Sequence, residues 1–165
     1  MQISFAAVGK GYAADCVMRQ WKHKGIKSGV INASGDLTLF GHRADGNHWR
    51  VGIANPDKQN EILLWIPVHE GSVATSGDYE QYFMHEGVRY SHNLNPRTGM
   101  PLSGLKSVTV VSPSAELCDA LCTAVYVMGP EVGLHFINQL PQTHCLIIDN
   151  SNRFYHSKSL TIENA

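Results

Sequence analysis

Short runs of strand-forming residues separated by turn formers occupy the first half of the chain, and helical spacing takes over in the second. The runs 29–32, 37–40, 49–54 and 62–68 are punctuated by Gly, Asp and Asn, which predicts antiparallel meanders. The runs 82–85 and 88–92 flank Glu86-Gly87, a hairpin signal. Ahead of these strands a helix is expected over residues 11–24, with Ala13, Cys16, Val17 and Trp21 as its apolar stripe and Gly25 as its stop. Further on, residues 107–111 read as a buried strand, and Ser112-Pro113 as a helix cap followed by proline in the first turn. That helix should run to Met128 and end at Gly129, with Leu117, Leu121, Val125 and Met128 facing the core. A second helix over 130–140, a strand over 145–148 and a last strand over 154–156 complete the pattern. Strands grouped first with single helices interspersed predict an α+β fold, antiparallel-rich sheets with packed helices, rather than a doubly wound parallel sheet.

Composition narrows the function classes. The 165 residues suit a single domain spanning 1–165. A hydrophobic fraction of 43% and a charged fraction of 16% support a packed core and exclude a disordered tail. A net charge of −1 gives no basic excess to follow a nucleic-acid backbone, and no apolar run is long enough to form a transmembrane segment. The opening MQISFAAVGKGYAAD lacks the basic region, apolar stretch and cleavage site of a secretory signal. Either the protein is cytoplasmic or a signal lies outside this chain; the second is expected, because recognisable motif sequence begins almost at residue one. Of the four cysteines, Cys118 and Cys122 stand four apart on a helix without a matching second pair, so they read as small buried hydrophobes rather than metal ligands.

Several segments carry candidate chemistry, each with a plainer reading beside it. Asp119 and Thr123 are four apart and share a helix face, offering a carboxylate and a hydroxyl to a hard cation such as Mg²⁺. The same spacing fits an exposed helix acid beside an ordinary threonine. Residues 6–15, Ala-Ala-Val-Gly-Lys-Gly-Tyr-Ala-Ala-Asp, read as a small-residue loop opening onto a helix N-terminus, with Lys10 as a point charge for a phosphate; a simple strand-to-helix turn reads equally well. Residues 32–36, ending in Asp36, allow a tight turn or close ligand approach. Residues 74–80 and 91–99 are polar, turn-rich loops, and His92 in the second could bond a ligand or accept a proton, or serve as a structural donor.

Five stretches taken together resemble the ApbE family, the FAD:protein FMN transferases formerly called thiamine-biosynthesis lipoproteins. They are AAVGKGYAAD (6–15), GVINASGDL (29–37), VATSGDYEQYF (73–83), RYSHNLNPRTGMP (89–101) and SVTVVSPSAELCDALCTAVYVMG (107–129), in order across nearly the whole chain. The resemblance implies an ApbE-like, T-fold-related domain that apparently lacks its N-terminal part. It also implies a Mg²⁺ site and bound FAD as substrate. By position, the metal ligands would be the Asp119 carboxylate, the Thr123 hydroxyl and the Ala7 carbonyl. Lys10 would lie against FAD, and His92 and Leu94 would line the flavin nucleotide, Leu94 through its backbone. Ser4 stands where many members carry an acid that touches FAD, and Asn95 stands where many carry Asp before the proline.

The family reaction implied is transfer of FMN from FAD to a Ser or Thr hydroxyl of a target protein, with release of AMP. His92 is the candidate base. Implied partners are flavoprotein subunits of ion-pumping redox complexes, and the implied location is the periplasmic face of a bacterial envelope, lipid-anchored through a segment outside this chain. The alternatives are hydrolysis of FAD to FMN and AMP at the same site, which no residue here separates from transfer, and a non-catalytic flavin-binding module or inactive fragment.

Overall fold

The computed structural model describes residues 5–58, 60–77 and 82–165. In chain order the elements are α1 (Ala6–His23), β1 (Gly29–Ala33), β2 (Asp36–Phe40), β3 (Trp49–Ala54), β4 (Ile62–Val68), β5 (Gly71–Gly77), β6 (Tyr82–His85) and β7 (Val88–Ser91). There follow β8 (Leu105–Ser112), α2 (Ala115–Met128), α3 (Pro130–Ile137), β9 (His144–Asp149), β10 (Phe154–His156) and β11 (Glu163–Asn164). Six strands form one sheet in the order β1-β2-β5-β8-β9-β10, every pair antiparallel. A three-stranded sheet has the order β11-β4-β3, and β6 and β7 make a separate hairpin.

The period of two along each central strand sorts its side chains into two cores. Ala74 of β5, Val108 and Val110 of β8, and Cys145 and Ile147 of β9 face α2 and α3, where they meet Cys118, Leu121, Cys122 and Val125. Val73 and Leu146, next in line on the same strands, face the smaller sheet and pack with Val51, Ile53, Leu64 and Ile66. The result is three layers: helices, large sheet, small sheet. Each fully buried Val, Leu or Ile contributes about 1.5–3 kcal/mol relative to exposure.

The structure bears out the α+β class and differs from the sequence reading in four places. First, α1 begins at Ala6, so residues 6–10 are helix and not a loop ahead of one. Second, β5 was expected to be a polar loop from residue 74; it is instead a central strand paired with β2 and β8. Its small polar residues carry little strand propensity, and its neighbours supply the ladder. Third, the core face of α2 is Cys118, Leu121, Cys122, Val125 and Tyr126, while Leu117 and Met128 are exposed. Cysteines acting as hydrophobes rotate the stripe by one residue. The same offset occurs on α1, where Gly11, Ala14 and Asp15 are buried and Ala13 is exposed. Fourth, the cap of α2 is Ser114, whose Oγ accepts from Leu117 N at 3.3 Å; Pro113 precedes the cap instead of entering the first turn.

Candidate active site

The site is built where α1 crosses the start of α2. The two backbones approach so closely at Gly11 that an added Cβ would lie 2.3 Å from the Ala115 carbonyl oxygen. Only glycine fits there, so Gly11 serves a helix–helix contact and not the turn its neighbours suggested.

Two aspartates are exchanged across this crossing. Asp15, on α1, accepts from Ser114 Oγ at 2.9 Å, Ala115 N at 3.1 Å and Glu116 N at 3.1 Å, and so covers the open amides of α2's first turn. Asp119, on α2, receives in return the Gly11 N–H at 3.2 Å. In a regular helix that amide would bond the carbonyl of Ala7, four residues back. Asp119 is only 7% exposed. Desolvation is the largest influence on its carboxyl and, with the nearby Asp36, pushes its pKa up; the Gly11 amide and Lys10 oppose the rise without cancelling it.

Asp119 opens on a cavity of about 480 Å³ lined by Ala6, Ala7, Lys10, Ser34, Ala74, Thr75, Ser76, His92, Asn93, Cys122 and Thr123. Five segments meet there: the first turns of α1, the β1–β2 turn, β5, the irregular segment that follows β7, and α2. The β1–β2 turn is a two-residue loop with Ser34 (φ 54°) and Gly35 (φ 98°) both left-handed, closed by Gly35 N donating to Asn32 Oδ1 at 2.8 Å. It delivers Ser34 to the cavity and, just beyond, Asp36. Asp36 lies 3.0 Å from the Lys10 ammonium, but its Oδ2 makes no hydrogen bond: the pair is matched in charge and off-axis in direction. Lys10 keeps 44% of its side chain exposed, so its charge remains available to a ligand.

Of the residues singled out from sequence, Ala7, Lys10, His92, Asp119 and Thr123 line this one cavity. Leu94 does not line it; its side chain is exposed, and its backbone bridges Pro101. The hydrogen bonds of that bridge use Asn93 O and Asn95 N, not the N–H or C=O of Leu94. Ser4 lies outside the described residues. The 95–99 turn is held as its composition implied, with Asn95 Oδ1 accepting from Arg97 N at 2.9 Å and Gly99 N donating to Asn95 O at 2.8 Å. Cys118 and Cys122 are the buried hydrophobes expected, their thiols aimed at the Ser72 and Ala74 carbonyls, and burial pushes the Cys118 thiol up to about 12. Asp15, Ser34, Thr75, Ser76 and Asn93 lie inside segments that the sequence marks as candidates, but nothing local distinguishes them from their neighbours there; the fold places the last four in the cavity lining and Asp15 at the helix crossing beside it.

The donors suit a hard cation in kind. Asp119 offers a carboxylate, Thr123 a hydroxyl and Ala7 a carbonyl, all oxygen, and a buried carboxylate with one N–H partner lacks the positive field its ionised form needs. Among the described residues no group of three or more His, Cys, Asp or Glu gathers as a metal cluster.

The chain as a whole matches known proteins. The ApbE family model matches residues 1–147. The chain belongs to the ApbE family. It is 34% identical over 163 residues to the FAD:protein FMN transferase of Vibrio cholerae, covering 96% of this chain and 49% of that protein. It is 37% identical over 133 residues to the enzyme of the same name from Escherichia coli K12, covering 79% of this chain and 38% of that one. Among solved structures, the ApbE protein of Thermotoga maritima superposes with a TM-score of 0.86 at 33% identity, over 96% of this chain and 52% of that chain. The flavin transferase ApbE of Vibrio cholerae does so with a TM-score of 0.79. The chain thus spans about half the length of the relatives it matches.

Proposed function

We propose that this ApbE chain carries the diphosphate end of a site that cleaves FAD and transfers its FMN half to a Ser or Thr hydroxyl of a target flavoprotein, with Mg²⁺ as the metal. The observation that carries the reading is the convergence of Ala7, Lys10, His92, Asp119 and Thr123 on one cavity. The names of the relatives supply the reaction class.

Asp119, Thr123 and the Ala7 carbonyl are the groups that would hold Mg²⁺. Bound there, the metal supplies charge neutralisation on the diphosphate. The Lys10 ammonium binds a phosphate oxygen, and its pairing with buried Asp36 holds it in the cavity wall. The acceptor hydroxyl attacks the phosphorus on the FMN side. As the new O–P bond forms, the bond to the AMP phosphate breaks, AMP leaves with the electron pair, and the hydroxyl proton passes to a base. His92 is assigned that role because it is the imidazole among the described cavity residues.

Incubating the protein with FAD, Mg²⁺ and a Ser/Thr-containing target peptide tests the reading. A peptide heavier by one FMN unit, with AMP released one for one, is the expected result. Free FMN and AMP with unlabelled peptide would replace the transferase by a pyrophosphatase, and tight FAD binding without AMP would leave a flavin-binding module.

A further inference from the structure

Three buried side-chain atoms make no hydrogen bond among the described residues: Asp36 Oδ2, Asn93 Nδ2 and His144 Nδ1. Asp36 has the Lys10 charge beside it, and His144 belongs to a different cavity, between the two sheets near the C-terminal segment. Asn93 is only 8% exposed and lines the cavity that holds Lys10, Asp119 and Thr123. Its main chain is fully engaged: its N–H donates to Ser91 Oγ at 3.1 Å, and its carbonyl accepts from Leu102 N at 2.8 Å. Backbone position is therefore set by the strand and the bridge beside it, and the side-chain amide is left over. A buried amide donor without a partner destabilises the free protein, and an apolar side chain of the same shape would remove that cost.

We propose that Asn93 is a ligand-binding residue, its side-chain amide donating a hydrogen bond to an acceptor oxygen of the bound dinucleotide. The inference rests on the FAD reading above and adds to it a neutral, directional contact beside the charged ones. Lys10 attracts a phosphate from any angle, whereas an amide N–H rewards one orientation. The terminal torsion of Asn is soft, so half a turn brings the nitrogen from the wall to the cavity as a ligand enters. Free and bound states then differ in which one satisfies this amide.

The test pairs fluorescence titration with FAD in Mg²⁺ and thermal unfolding without ligand, on wild type and Asn93→Leu. The expected result is a Kd for FAD about tenfold higher in the variant, with a ligand-free Tm equal to or above wild type. A lower Tm with unchanged Kd would assign Asn93 a structural role and overturn the proposal. If both Tm and affinity fall, Asn93→Asp decides, since it keeps the shape and removes the donor. Weakened binding at the wild-type Tm supports the contact, and unchanged binding overturns it. Wild type that binds FAD alongside an Asn93→Leu variant of equal affinity overturns the inference alone. Wild type that does not bind FAD overturns the FAD reading and the inference with it.

Discussion

Asp15 and Asp119 occupy mirror positions at one helix crossing and do opposite work. Each projects from its own helix to the backbone of the other, and each is almost fully buried. Asp15 meets three donors at the N-terminus of α2, where the helix dipole favours its charge. Asp119 meets one, and burial raises its pKa. Asp15 is satisfied by the protein alone, whereas Asp119 has one protein donor and faces the cavity, which is why it is the residue proposed above for a cation.

The largest effect is expected from Asp119, the aspartate with the single donor. Asp119→Ala should lower Mg²⁺-dependent AMP release from FAD by at least about 100-fold, the scale typical for losing a main electrostatic element of a site. Asp119→Asn should lose the same activity while leaving the metal-free protein at least as stable, since a buried charge has been removed. AMP measured by chromatography and Tm measured by calorimetry read the two separately. Unchanged AMP release would remove Asp119 from the metal site.

The crossing on which both aspartates depend is tested at Gly11. Gly11→Ala forces a Cβ against the Ala115 carbonyl, which is backbone and cannot swing away. A loss of about 3 kcal/mol in urea unfolding is expected from such overpacking. A wild-type midpoint would show that α1 and α2 do not touch there.

Next comes the satisfied partner. Asp15→Ala exposes the first turn of α2 and should cost about 2 kcal/mol. Its activity loss should follow the stability loss and be restored by cooling, unlike that of Asp119→Ala.

A third carboxylate sharpens the contrast with the smallest effect. Asp149, at the end of β9, accepts from Arg153 N at 2.9 Å, Arg153 Nε at 2.7 Å, Ser151 N at 2.8 Å and Tyr155 Oη at 3.1 Å. Led by the Arg153 backbone bond, these hold its pKa down at about 2. A depressed folded pKa means the stabilisation is complete above the ordinary carboxylate range, near pH 4, and is lost as pH falls towards about 2. Asp149→Asn should flatten the acid limb of a Tm–pH curve over that window and leave FAD turnover at neutral pH untouched. An unchanged acid limb would show that the four bonds do not favour the ionised form.

Legibility in the sequence followed the range of the cause. Strands β3, β4, β6 and β10 and the end of α2 at Gly129 were readable because propensity and stop signals act within a few residues. Strand β5 was not: Gly-Ser-Val-Ala-Thr-Ser-Gly is weak strand sequence, and its place between β2 and β8 comes from partners thirty or more residues away. The start of α1 was hidden because Gly9 and Gly11 read as loop, while what selects Gly11 is the passage of Ala115 across it.

The candidate site divides the same way. Sequence alone determined the α+β class, the pairing of Asp119 with Thr123 on one helix face, Lys10 and His92 as candidate ligand contacts, and the resemblance that adds Ala7. Only the tertiary structure decided that these five residues share a cavity, that Asp15 is a cap while Asp119 is not, that Lys10 is held by Asp36, and that Asn93 lines the same cavity with its side-chain amide nitrogen unpartnered. Local pattern encodes which face a side chain takes on its own element. Burial, partner number and charge balance belong to neighbours brought in by folding, and those are the quantities that separate Asp15, held by three donors, from Asp119, held by one.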